Sequence, residues 1–478
     1  MTNSSLPAPA GRARREPLAL AVLCLAAFMA SLDVFIVNVA FDAIGQDFGG
    51  TDLTTLSWVL NAYAIVFAAF LIPAGRLVDR YGRKGGFLLG LGVFTAASIA
   101  CAVGPGVWWL VAFRVVQAVG AAILTPASLG LVVAAARPEH RERSVRIWAA
   151  TGALAAAFGP VVGGLLVSVD WRWVFLVNVP VGVAAMIGAW LVVPSSRELV
   201  PTPFPDMLGA IAAVVGIGGL TLALVEGPDW GWASTRSAVV WVVTVVALGV
   251  FAISNARHRS PLLSTALFRV RAFAWSNVAA LLFGVPFAAG LLVNILWLQQ
   301  VWGWSAIATG FAVAPGPMMV PIFAAVAHRL AARIPVGLVV AAGCLLFAAG
   351  AVLVSVSVGA DSDYAAAILP GWLIGGIGVG LALPSILSSA TVDLPTSQAA
   401  AGSATVSMAR QVGMVLGVSL VVATVGAPVG YAAAHTAFQH AWWATAGVAV
   451  LAAVAAIFMT PARAAVSTPD AAPATASV

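Results

Sequence analysis

Apolar runs of roughly 20 residues, the length of a bilayer-spanning helix, alternate with short polar connections along almost the whole chain. About fourteen such runs are countable, centred near residues 29, 67, 95, 121, 157, 184, 217, 247, 284, 316, 346, 376, 414 and 451. Outside them, 1–16 is rich in Ser, Pro, Ala and Arg and reads as a disordered tail, and 461–478 is again polar and small. The pattern predicts an all-α polytopic membrane protein.

Composition agrees. Of 478 residues, 62% are hydrophobic and only 8% charged, with a mean hydropathy of +1.03. An average soluble domain is about 25% charged. The net charge of +6 does not point to nucleic acid, because the basic residues sit in short clusters between apolar runs. The even-numbered connections carry Arg80, Arg83 and Lys84, then Arg137, Arg141, Arg143 and Arg146, then Arg197, then Arg257, Arg259, Arg269 and Arg271, then Arg329 and Arg333; the odd-numbered ones hold only Arg172 and Arg236. By the positive-inside rule, both termini and the even-numbered loops are cytoplasmic. Tryptophans such as Trp108, Trp109, Trp171, Trp173, Trp302 and Trp442 gather at the opposite interface, where an aromatic belt is expected. Arg12, Arg14 and Arg15 before the first run imitate a signal peptide, but the run is too long for one and reads as an uncleaved first helix. Cys24, Cys101 and Cys344 are far apart inside apolar runs and suggest neither a metal site nor a disulfide.

Asp33 is the one acid well inside an apolar run. A carboxylate there costs roughly 2.5–3.5 kcal/mol on insertion scales, so it reads as a functional site that takes up and releases a proton. Arg114, in the fourth run, lies at nearly the same depth and also needs a partner or a wet cavity. We expect it to face Asp33 and tune its protonation. Asn38, Asn61, Gln117, Gln299, Gln300, Arg410 and Gln411 are candidates to line a cavity or meet substrate.

The chain repeats itself. GAAILTP at 120–126 lines up with GVGLALP at 378–384, and at the same spacing Gly159 falls on Gly417. Such repeats mark transporters built of two related halves. Two six-helix halves leave two runs over, about 207–226 and 237–256, as an inserted hairpin. The expected division is a cytoplasmic tail 1–16, an N-terminal six-helix bundle 17–194, a linker and inserted helix pair 195–257, a C-terminal six-helix bundle 258–460, and a cytoplasmic tail 461–478.

Several strings carry chemistry. GRLVDRYGRK at 75–84 sets Asp79 among Arg80, Arg83 and Lys84, with Gly75 allowing close helix approach and Gly82 a tight turn. Charge-assisted bonds in such a cluster can form in one conformation and break in another. The string closely resembles the signature loop of the major facilitator superfamily. SLDVFIVNVA at 31–40, RVVQAVG at 114–120, GPVVGG at 159–164, WRWVFLVNVP at 171–180 and ARQVG at 409–413 resemble motifs of that superfamily's fourteen-helix drug:proton antiporters. Gly159, Pro160, Gly163 and Gly164 form the antiporter motif of the fifth helix. Phe35 stands where the family has Thr, Phe41-Asp42 where it has an apolar-Pro pair, and Ala155 where it has Gly.

The resemblance implies two pseudo-symmetric bundles, alternating access, and export of lipophilic drugs, antibiotics or toxic metabolites against proton entry across the plasma membrane. It implies no cofactor beyond the proton motive force, no metal, and partners limited to protons, a lipophilic substrate and the lipid bilayer, with the protein a monomer. The alternative is a facilitator of an endogenous metabolite or lipid. An enzyme is disfavoured, since no HExxH or GxSxG string is present, and ATP drive is disfavoured, since there is no phosphate-cradling GxxxxGK[ST] loop.

Overall fold

The computed structural model describes residues 10–196 and 203–459. Arg197, the tail 461–478 and residues 1–9 lie outside the described residues. Among those described there are fourteen helices long and apolar enough to cross a membrane, as the apolar pattern predicts. They are α1 (Ala10–Val39), α2 (Leu53–Tyr81), α3 (Arg83–Ala102), α4 (Val107–Ala135), α5 (Arg141–Val167), α6 (Trp173–Val192), α7 (Met207–Trp230), α8 (Thr235–Arg257), α9 (Arg271–Val301), α10 (Ala306–Ala331), α11 (Val336–Ser357), α12 (Tyr364–Val392), α13 (Thr396–Val425) and α14 (Tyr431–Ile457). The first helix starts at Ala10, inside the stretch expected to be a tail.

Short connections make successive helices antiparallel. The end where α1 begins is called the near end, and the opposite end the far end. Helices α1–α6 form one bundle and α9–α14 its counterpart, with α7 and α8 an inserted pair. Helix starts carry the residues that satisfy orphan amides. Asp52 accepts from the Thr55 amide, Asp206 from Gly209, Ser234 from Ser237 and Ser305 from Ala308. Prolines interrupt the long helices, and α10 breaks at Ala314 just before Pro315. A π-helical turn, Trp297–Val301, ends α9.

Between apolar helices in lipid, close packing replaces the hydrophobic drive, so glycine sets the approach. A Cβ on Gly120 would lie 2.7 Å from the Phe94 amide nitrogen, and one on Gly90 would lie 2.8 Å from that of Leu124, so α3 and α4 touch backbone to backbone. In the second half, Gly343 and Gly378 do the same for α11 and α12. Gly159 and Gly163 seat α5 on Phe35 and Ile36 of α1; Gly413 and Gly417 seat α13 on Leu281, Gly284 and Val285 of α9. The sequence repeat is therefore a repeat of contacts.

The halves meet at the far end. A Cβ on Gly164 would lie 2.4 Å from the Ala306 carbonyl oxygen, and one on Gly310 would lie 2.3 Å from that of Pro160. Gln299 donates to the Val39 carbonyl at 3.0 Å across the same seam. The near-end parts of α5 and α10 are instead largely exposed. The hairpin α7–α8 lies over the other seam, where Ala213 and Ile217 pack with Ile65 and Ala69 of α2 and Val415 of α13.

The tryptophans do not all form an interfacial belt. Trp108, Trp109, Trp173, Trp232 and Trp443 are exposed, but Trp171 and Trp442 are buried. Trp442 packs on Trp297 and donates to Asn294, while Trp171 reaches Asp47 and stacks edge-on against Phe48. An indole N–H with a nearby side-chain acceptor can be taken inside, which an apolar count does not show.

Gly164→Val has no room against Ala306, so the far-end seam is expected to open. In a variant lacking Cys24, Cys101 and Cys344, a membrane-impermeant maleimide added from the far side should label Asn38→Cys several times faster once Gly164→Val is present.

Candidate functional site

Asp33 lies six residues before the end of α1 at Val39, about 9 Å along the axis at 1.5 Å per residue. It is 1% exposed and Arg114 is 0% exposed. A charge so enclosed is tolerated only with close partners. The Arg114 guanidinium donates through Nη1 to Asp33 Oδ2, forming a buried ion pair. The other carboxylate oxygen accepts from Gln117 Nε2 and from Asn178 Nδ2, each at 2.9 Å. Both amides also donate to Ser98 Oγ, at 2.9 and 3.3 Å. One acid on α1 thus collects donors from α4 and α6, with α3 supplying the hydroxyl behind them.

Arg114 is held on its remaining sides. Nε donates to the Val59 carbonyl at 3.1 Å and Nη1 to Gln117 Oε1 at 2.7 Å. Its guanidinium carbon sits 4.1 Å from the centre of the Tyr63 ring, a cation–π contact in a dry setting. Arg114 and Gln117 are one helical turn apart, so a single face of α4 presents both to Asp33.

A small cavity, with about 40 Å³ of water-accessible space, opens on the other face of Arg114. Phe35, Asn38 and Asn61 line it from the first half, and Phe287, Leu291 and Met414 from the second. Phe35 and Phe287 meet edge to face, with ring centres 6.3 Å apart. The cavity therefore lies between the halves, beneath the closed far end. Asn38 is on its wall, its amide nitrogen spent on the Val34 and Phe35 carbonyls. Gln117 belongs to the Asp33 network instead. Arg410 and Gln411 enter neither the network nor this wall. Arg410 stands near the middle of α13, and its Nε is buried with no hydrogen-bond partner among the described residues.

At the near end, Gly82 has φ +124°, a backbone that an L side chain rarely adopts, and lets α2 turn into α3. A Cβ on Gly75 would already touch Pro126 of α4 at 3.3 Å. Asp79 pairs with Arg83 at 2.7 Å, one turn on. The Arg83 amide donates to the Ser196 carbonyl, and Lys84 to the Trp190 carbonyl at 2.9 Å. Arg76 donates to Ser260, on the segment leading into the second half. Arg80 flanks Asp79 in the same turn. The loop therefore joins α2, the end of α6 and the start of the second half.

Asn178 and Tyr63 were not among the expected site residues. Asn178 lies in the WRWVFLVNVP string, where an amide amid apolar residues is the only signal of its role. Outside the membrane span, Asp42 accepts from Gln46 at 2.7 Å; burial pushes its carboxyl up from the usual range, and that hydrogen bond opposes the rise.

Arg114→Met leaves Asp33 an unpaired buried anion and is expected to cost about 3–5 kcal/mol. Adding Asp33→Asn should recover most of that loss, a non-additivity that thermal unfolding of the four proteins in detergent would measure. Asn178→Leu removes one of the three donors to Asp33 and should cost about 1–3 kcal/mol by the same assay.

The Major Facilitator Superfamily profile matches residues 23–418. The methylenomycin A resistance protein of Streptomyces coelicolor is 33% identical over 424 residues, covering 86% of each chain. The multidrug resistance protein Stp of Mycobacterium tuberculosis is 32% identical over 410 residues, 84% of this chain and 75% of that one. Among solved structures, a POT family transporter in complex with a thioalcohol-conjugated peptide superposes with a TM-score of 0.67 at 17% identity, over 91% of this chain and 94% of that one, a likeness of fold. With a profile spanning most of the chain, fourteen membrane-length helices and two contact-for-contact related halves, this multi-pass membrane protein belongs to the Major Facilitator Superfamily.

Proposed function

We propose that the protein is a proton-coupled exporter of lipophilic small molecules, a drug:proton antiporter working by alternating access. The observation that carries this reading is the buried Asp33–Arg114 pair set against a cavity between the halves. The names of its relatives, a methylenomycin A resistance protein and a multidrug resistance protein, support export of antibiotic-like compounds.

A proton reaching Asp33 cancels its charge and with it the ion pair. Arg114 keeps the Val59 carbonyl, Gln117 and the Tyr63 face, but loses its tether to α1. Since α1 also carries the Phe35–Ile36 surface on which Gly159 and Gly163 of α5 rest, a shift of α1 reaches the helix that closes the far end. Proton binding and gating are thereby linked through one helix. The near-end cluster of Asp79, Arg83 and Lys84, with the Arg76–Ser260 link, serves as the opposing latch in this scheme.

The near end, which carries the basic connections, is assigned to the cytoplasm together with both termini, and the membrane is the plasma membrane. The structure then corresponds to a state closed to the outside. The proton motive force is the energy source, with no cofactor and no catalytic role, and the protein works as a monomer. One charge crossing 100 mV supplies roughly 2.3 kcal/mol, enough for about a fifty-fold gradient of a neutral compound.

Substrate-induced proton release from inside-out vesicles tests the proposal, with methylenomycin A among the compounds added. Wild type should release protons on addition of a transported compound, and Asp33→Asn should reduce that release at least tenfold. Equal release by the two proteins would remove Asp33 from the coupling step.

A further inference from the structure

Asn61 of α2 is 0% exposed, yet neither its Oδ1 nor its Nδ2 has a hydrogen-bond partner among the described residues. It lines the cavity between the halves. An amide buried with both its donor and its acceptor unmet is costly, and proteins retain such groups where something else meets them. The nearby aromatic and aliphatic side chains, Phe35, Leu60, Phe287 and Met414, offer no polar atom in return.

The charge on the wall narrows what that something is. Asp33, the deep acid, does not line the cavity; Arg114 does, and stands between the two. The wall thus shows one cation and no carboxylate. With Asp33 set behind Arg114, a positively charged compound would face the guanidinium and find no carboxylate on the wall, so the cavity is unsuited to cations.

Resting on the export reading above, we propose that Asn61 is the polar anchor of the substrate site. It selects uncharged lipophilic compounds that carry a group able both to donate and to accept, such as a carboxamide or a neighbouring hydroxyl and carbonyl. The aromatic pair Phe35–Phe287 takes the apolar body. Tyr63, two residues on from Asn61, also lines the cavity and packs against Arg114. A compound held by Asn61 therefore touches the group that partners Asp33, which would let substrate and proton sense each other.

Binding to the purified full-length protein tests this without calling on transport. Three probes of one shape are titrated by thermal shift: naphthalene-2-carboxamide, its hydrocarbon counterpart 2-isopropylnaphthalene, and the cation naphthalen-2-ylmethylammonium. Wild type should bind the carboxamide about tenfold more tightly than the hydrocarbon, and the cation least. Asn61→Leu should bind carboxamide and hydrocarbon alike, and without ligand should melt higher than wild type, since it removes an unmet amide. Where Asn61→Leu does not fold, Asn61→Ala carries the same comparison. The proposal is overturned if wild type binds none of the probes, if the cation matches the carboxamide, or if the apolar variants keep the preference for the carboxamide. A protein that shows the preference but never couples transport to protons would retain the site and lose the export reading.

Discussion

A carboxylate buried inside a membrane helix must be answered on every side, and the first half of this protein is arranged around that demand. Two oxygens on Asp33 take three donors: Arg114 and Gln117 from α4, and Asn178 from α6. Three helices far apart in sequence are fixed in depth and rotation by one side chain. Breaking such a buried pair on one side typically costs more than the pair itself contributes. The arrangement is better understood as fixing a register between helices, one that a single proton can release, than as a source of stability.

Around that polar point, close packing sets the architecture. Where Gly120 meets Phe94 and Gly378 meets Phe347, helices touch at backbone distance, and small residues do for apolar helices in lipid what hydrophobic burial does in water. The same device joins the halves at Gly164 and Gly310, though there it has a different character. Contacts within a half are surrounded by other helices, whereas the far-end seam relies on a few backbone approaches that either form together or separate together. Rigid bodies with a sparse, all-or-none joint are what a rocking mechanism requires.

Much of this was legible in the sequence. Fourteen runs of membrane length, the basic asymmetry of the loops, the repeat of GAAILTP in GVGLALP and the strings at 75–84 and 159–164 led to two bundles with an inserted hairpin. Asp33 stood out because a charge is conspicuous in an apolar run. Asn178 did not, since an uncharged amide costs less there and one sequence does not reveal whether its partners come from another helix. Trp171 and Trp442 misled for the converse reason: their positions fit an interface, while their partners, Asp47 and Asn294, lie over a hundred residues away. Arg410 stands near the middle of α13, which begins at Thr396, ahead of the apolar stretch. Pattern gives each helix its span; what a side chain faces depends on helices that the local pattern does not contain.

The inserted hairpin has a consequence of its own. The two halves share two long seams, and by their pseudo-symmetry these should be interchangeable. Helices α7 and α8 shield only the one between α2 and α13. The seam between α5 and α10 runs bare toward the lipid, joined at its far end and parting toward the near end. A molecule dissolved in the bilayer therefore meets the inserted pair on one flank and the two halves themselves on the other. The twofold likeness of the halves does not extend to their surroundings, and the protein has, in effect, a front and a back.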